Sequence, residues 1–142
     1  MATPSEHHDL SGCFACGSDS ERGLRLQFRA DGEGVLAETD TDRSWVGWQG
    51  IVHGGLIATL MDEAVGWAVA AIGKTGLTAR LSVRYLAPIA PFQHLIVRAR
   101  VLSHDRRGAR TAASVELPGG RKVATAEAMM LFVHDLPQPA QA

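Results

Sequence analysis

An excess of charge of either sign is missing from this sequence. Fourteen Lys and Arg stand against fifteen Asp and Glu, a formal net charge of −1. No global field is therefore available to recruit nucleic acid or an anionic membrane, and an anionic ligand must be held by a local patch. Cysteine is almost missing too, with only Cys13 and Cys16. The first residues, MATPSEHHDL, are polar and acidic where an export signal needs a basic start and then an apolar stretch. The expectation is a cytoplasmic protein, in which a disulfide scaffold is implausible. Long apolar runs are scarce as well. The only one, residues 51–72, is long enough on paper to cross a bilayer of about 30 Å. It also carries His53, Asp62 and Glu63, which a lipid-facing helix tolerates only at a cost of several kcal/mol each. Burial inside a soluble protein is the better reading, with no membrane partner.

What is there suits one globular domain over residues 1–142: 46% of residues are hydrophobic and 20% charged. Residues 1–12 and 135–142 are polar, Pro-containing and aperiodic, as flexible termini are. LRLQFRA, the turn DGEG and Val35–Thr39 read as a strand pair. Trp45, Gly47, Trp48 and Gly50 mark a loop. From Gly54 to about Ile72, residues Ile57, Leu60, Met61, Ala64, Trp67, Ala68 and Ala71 recur at helical spacing among small residues, predicting a helix buried nearly all round. Four stretches rich in strand formers follow, Leu77–Leu86, His94–Ser103, Ala109–Leu117 and Lys122–Val133, punctuated by Pro88 and Pro91, by Asp105–Gly108 and by Pro118–Gly120. The pattern is α+β: one long helix wrapped by an antiparallel sheet of about five to six strands, the last four in a meander.

Two features of the helix carry chemistry. Asp62 and Glu63 supply the only formal charge between Ile51 and Ile72. A carboxylate in such surroundings is costly unless paired or shifted in pKa, which makes it a functional candidate. The plainer alternative is that one of them caps a loop, pairs with Arg80 or Arg84, or reaches solvent. At the helix start stands His53-Gly54-Gly55. Two glycines let backbone approach a ligand closely, and the first amides of a helix are unused donors at the positive end of its dipole, the equipment of an oxyanion hole. The plainer alternative is a tight turn with His53 packing or capping. Gly54 and Asp62 are eight residues apart, about 12 Å along a helix axis, too far to serve one reacting carbon. A two-fold dimer with antiparallel helices would bring Gly54 of one copy to Asp62 of the other.

GIVHGGLIATLMDEAVGWA closely resembles the helix signature of hotdog-fold thioesterases of the phenylacetate-pathway type. CFACGSDSERGLRLQF is similar to the N-terminal segment of one branch, and VRYLAPIAP to its strand after the helix. Together they cover most of residues 13–133. The resemblance implies a hotdog fold and an acyl-CoA hydrolase. In it the Gly54 amide polarises the thioester carbonyl, Asp62 acts as general base or nucleophile, Thr78 helps to place water or carboxylate, and His53 orients the loop. It implies a homodimer, with a tetramer (a dimer of dimers) as a family-level expectation, and no metal or cofactor beyond the CoA of the substrate. One common version of the pattern has Asn six residues before the His. Gly47 stands there, so that role is empty or falls to Gln49, itself more simply an ordinary loop amide.

Among the other candidates, Arg106 and Arg107 in a turn are the choice for CoA phosphates, the remaining cations Arg80, Arg84, Arg110 and Lys122 reading as surface charge. Trp48, beside the loop, could line an acyl pocket, while the tryptophans otherwise read as packing, and Gly55 is the further substrate contact of the His53-Gly54-Gly55 turn. Cys13 and Cys16 have metal-like spacing that His7 and His8 could complete. Structural zinc usually draws on two well-separated pairs, so two thiols in an N-terminal turn is the reading kept. Two other functions compete: an acyl-CoA-binding protein without hydrolysis, kept open by Gly47, and a dehydratase or hydratase, which needs an acid and base set for addition to an acyl double bond.

Overall fold

A computed structural model describes residues 9–142. Its elements are β1 (Arg29–Asp31), β2 (Gly34–Asp40), a 3-10 turn (Arg43–Trp45), α1 (Gly54–Ala71), β3 (Gly76–Tyr85), β4 (His94–His104), β5 (Gly108–Glu116) and β6 (Lys122–Phe132). The six strands form one antiparallel sheet in the order β1-β2-β4-β5-β6-β3. With α1 laid across it, this is the hotdog arrangement that the sequence resemblance implies.

Alternation builds the inner face. Val35 and Ala37 of β2, Leu95, Val97 and Ala99 of β4, Ala109, Thr111, Ala113 and Val115 of β5, and Ala124, Ala126, Ala128 and Met130 of β6 are buried, every second residue of each strand. The alanines keep this face flat, so the buried side of α1 (Ile57, Leu60, Met61, Ala64, Val65, Ala68, Val69) lies close against it. The one hydroxyl in that set is satisfied, Thr111 donating to the Ala128 carbonyl at 3.3 Å. By length and composition α1 passes for a membrane span, and its buried residues, Ile57, Leu60, Met61, Ala64, Val65, Ala68 and Val69, are packed in the core with this sheet.

Three sequence expectations change. The helix is covered on one side rather than all round: Gly55 and Asp62 are exposed, and Ala58, Thr59 and Gly66 are half-buried. A single sheet reaches only one face of a helix. The last four strands are not a meander, because β3 pairs with β6 at the far edge and only β4, β5 and β6 follow in order. Pro88 and Pro91 therefore lie in a crossing segment, which runs under the start of α1 and is tied there by Val52 N–H donating to Ile89 O at 2.8 Å. Finally, the first strand is only three residues long. Arg25 has φ 51°, outside extended geometry. The segment before β1 instead binds the N-terminal turn through Leu24 N–H to Phe14 O and Leu26 N–H to Ala15 O, both 2.8 Å.

Candidate active site

Residues 46–52 fold back as a small hairpin that delivers the start of α1. Val46 bridges Val52. Gly47 N–H donates to Ile51 O (2.9 Å) and Ile51 N–H to Trp48 O (2.8 Å). Gly50 takes the left-handed conformation of the tight turn, φ 68°. Trp48 and Gln49 occupy the tip. Trp48 is 88% exposed, and Gln49 is exposed with no hydrogen bond among the described residues.

His53 leaves this hairpin as the N-cap of α1. Its N–H donates to Trp45 O at 2.7 Å, and its Nδ1 accepts from Gly55 N–H at 2.9 Å. Accepting at Nδ1 places the ring proton of the neutral imidazole on Nε2. The histidine thus takes up the Gly55 amide, and among the described residues the Gly54 N–H has no acceptor. One unused donor at the positive end of an 18-residue helix is what remains.

Tyr85, at the end of β3, escaped the sequence reading. Its hydroxyl donates to the Gly54 carbonyl at 2.7 Å, which fixes the plane of that peptide. A Cβ at position 54 would stand 3.3 Å from the Tyr85 ring, so glycine permits the contact. Gly54 and Tyr85 border a cavity of about 320 Å³ with Ile51, Val52, Ile57 and the crossing segment Leu86–Ile89, apolar enough for an acyl chain. Trp48 and Gly55 are not on its wall.

The other candidates stand apart within one chain. Asp62 is exposed two turns along α1, about 12 Å from Gly54, and has no hydrogen bond or ion pair among the described residues. It reaches solvent rather than lying in an apolar interior, and neither it nor Glu63 pairs with Arg80 or Arg84. Glu63 instead accepts from Trp67 Nε1 at 3.1 Å and from the Cys13 thiol. Thr78, near the start of β3, donates to the Met130 sulfur at 3.4 Å beside a bulge, roughly 23 Å along the strand from Tyr85. Arg106 and Arg107 are exposed in the β4–β5 turn, shaped by Asp105, whose carboxylate accepts from the backbone of Arg107 at 2.7 Å and Gly108 at 3.1 Å. Those bonds hold the Asp105 pKa below its usual value, Arg107 contributing most. The turn lies at the sheet end shared with Thr78 and the C-terminus of α1, since Gly108 pairs with Leu131 and Leu131 with Leu77.

Gly47 has a tighter role than a loop residue. A Cβ there would come within 3.1–3.3 Å of three His53 atoms, so the loop leans on the imidazole where the common pattern carries Asn. Cys13 and Cys16 are half-buried free thiols; His7 and His8 lie outside the described residues.

A sequence profile of the thioesterase superfamily matches residues 49–133, from the small hairpin to the end of β6. None of the curated proteins matches. Among solved structures, a thioesterase superfamily protein is 30% identical over 84% of this chain and 61% of its own, with TM-score 0.76. A hypothetical thioesterase from Streptococcus pneumoniae TIGR4, solved with coenzyme A, is 24% identical over 76% of this chain and 85% of that one, TM-score 0.71. Two variants of a hypothetical thioesterase from the same organism, each 23% identical to this chain, carry alanine in place of an aspartate and of a threonine sixteen residues further on. The PaaI protein from the phenylacetic acid degradation operon of Escherichia coli is 15% identical over 78% of this chain and 80% of its own, TM-score 0.72. At 24% and 15% identity the last two show the fold.

Proposed function

The chain belongs to the thioesterase superfamily, and from that membership we propose that it hydrolyses an acyl- or aryl-CoA thioester to the free acid and CoA. The observation that carries the reading is the Gly54 N–H, without an acceptor among the described residues, on a residue whose following peptide is held by Tyr85 and whose surroundings are apolar. Such a donor stabilises the oxyanion that forms when the thioester carbonyl is attacked. Asp62 takes the proton of the attacking water, or attacks the carbonyl itself to give an anhydride that water then opens. In either case the C–S bond breaks, and the CoA thiolate leaves and is protonated.

Gly54 and Asp62 meet across a two-fold axis. The uncovered stripe of α1 runs Gly55, Thr59, Asp62, Gly66, spaced to face one way and small enough for a second α1 to approach antiparallel. That operation also carries Thr78, Arg106 and Arg107 of the second copy toward Gly54 of the first, since all three lie nearer the far end of α1. Thr78 then helps to place water, and the two arginines meet the CoA phosphates. The pneumococcal relative supports this reading: it was solved with coenzyme A, and its altered aspartate and threonine have the spacing of Asp62 and Thr78.

The test is thiol release from a panel of acyl- and aryl-CoA thioesters, with Asp62→Ala beside the wild type. Some thioester should turn over, and the variant should lose at least about 100-fold in kcat while its melting temperature stays within a degree or two. Unchanged turnover in Asp62→Ala would sink the mechanism. A second reading, a binder of acyl-CoA without hydrolysis, is favoured by Gly47, which stands against His53 where the common pattern carries Asn, and by the exposed Gln49. Tight binding across the panel with no thiol released would select it.

A further inference from the structure

The N-terminal turn is built around a second cluster, away from Gly54. Cys13 Sγ, Cys16 Sγ and a Glu63 carboxylate oxygen lie within 4.8 Å of one another. Cys13 Sγ stands 3.7 and 3.8 Å from the two Glu63 oxygens. Two ligands on one tetrahedral zinc, at Zn–S about 2.3 Å and Zn–O about 2.1 Å, are roughly 3.6 Å apart, so the donors need little movement to share a cation.

The backbone sets this arrangement. Gly17 N–H donates to Cys13 O at 2.8 Å and Cys13 N–H to Leu10 O at 2.9 Å. A Cβ on Gly17 would fall 2.3–2.5 Å from Ser11 O and the Cys13 backbone, so the residue after the second cysteine must be glycine for the turn to close. The closed turn sends both thiols toward α1, where Glu63 waits with one oxygen already fixed by Trp67 Nε1.

Three acidic groups converge here without a cation among the described residues to offset them. Glu63 has no ion pair among the described residues. Lys74, on the wall of the adjoining cavity of about 260 Å³, stands instead over the Phe132 ring at 5.8 Å. Half-buried acids crowded in this way are costly to ionise together. A divalent cation reverses that balance, because it binds the thiolates.

We propose that Cys13, Cys16 and Glu63 bind a thiophilic divalent cation of the zinc class, clipping the N-terminal turn to α1. The fourth position opens on the cavity lined by Cys13, Glu63 and Trp67 and takes water. The two protons of the thiols leave to solvent on binding.

The test uses the full chain, reduced, stripped with chelator and then dialysed against zinc chloride. Elemental analysis should find about one zinc per chain, and the same chain loaded with cobalt(II) should show thiolate-to-cobalt absorption. Cys13→Ser/Cys16→Ser should lose both signals, and Glu63→Gln, which keeps an acceptor for Trp67, should weaken zinc binding at least about tenfold. Alkylation of the two thiols in the wild type provides a readout independent of any variant, and zinc should slow it severalfold. No stoichiometric zinc in the reduced wild type, a double variant that binds as much as the wild type, or alkylation indifferent to zinc would each overturn the assignment.

Discussion

A hydroxyl that meets a main-chain carbonyl anchors Gly54 from the peptide that follows the candidate oxyanion donor. Tyr85→Phe removes the bond to Gly54 O and leaves the ring that packs on Gly54. The exposed bond is worth about 0.5–1 kcal/mol, so stability should barely change, whereas kcat should fall about five- to tenfold with KM little altered. Steady-state kinetics and a melting curve on one preparation measure both, and an unchanged kcat would remove Tyr85 from the machinery. A second residue gives a pH signature. His94 bonds Asp40 at 2.7 Å and Glu38 at 3.1 Å, and these two, Asp40 first, raise its pKa. A raised histidine stabilises fully below its unfolded value and loses that contribution as pH rises through the folded one. Glu38, lowered by His94 and then Arg29, loses its contribution as pH falls through its own folded value. The melting-temperature gap between wild type and His94→Gln should therefore be widest in mildly acidic buffer and close toward pH 8. The gap should be small, because the pair is solvent-exposed; one that widened toward pH 8 would contradict the assignment.

Helix α1 shows what a sequence does and does not disclose about an element. Its span was legible, Gly54 to Ala71 against an expected Gly54 to about Ile72, because apolar spacing and the closing glycines are local. Its environment was not: small residues at 58, 64, 66, 68, 70 and 71 read as burial on every side, while the sheet covers one side and leaves Gly55, Asp62 and Gly66 facing out. The same limit hid Tyr85, whose place beside Gly54 depends on β3 pairing with β6, and it hid Glu63 beside the two cysteines fifty and forty-seven residues away. Capping by His53, by contrast, is local and was among the readings open from the start. The outward stripe makes a prediction about the element itself. A Cβ at position 66 meets nothing within 4 Å inside one chain, and replacing a helical glycine favours the helix by up to about 1 kcal/mol. Gly66→Leu should leave the single-chain fold intact by circular dichroism, yet separate the proposed dimer in sedimentation and lose thiol release along with it. A variant that sediments as the wild type would show that this face is not where two copies meet.

At the scale of the molecule, the α+β class, the strand count and most strand limits could be read in advance, since each rests on alternation and turn residues within ten positions. Strand order could not, because Pro88 and Pro91 look alike whether they close a hairpin or carry the chain across the helix start. The order β1-β2-β4-β5-β6-β3 also bears on how the chain assembles. β4, β5 and β6 can zip in sequence through short turns, whereas β3 joins β6 only by closing a loop that contains them all, Thr78 pairing with Met130 and Tyr85 with Ala124. Closing that loop costs more entropy than the two hairpins do before any contact repays it, so the edge strand docks after them. Since that strand carries Tyr85 and Thr78, a chain still on its way to the folded state has its core before it has its chemistry, and recovery of activity after dilution from urea should trail recovery of the buried tryptophan signal.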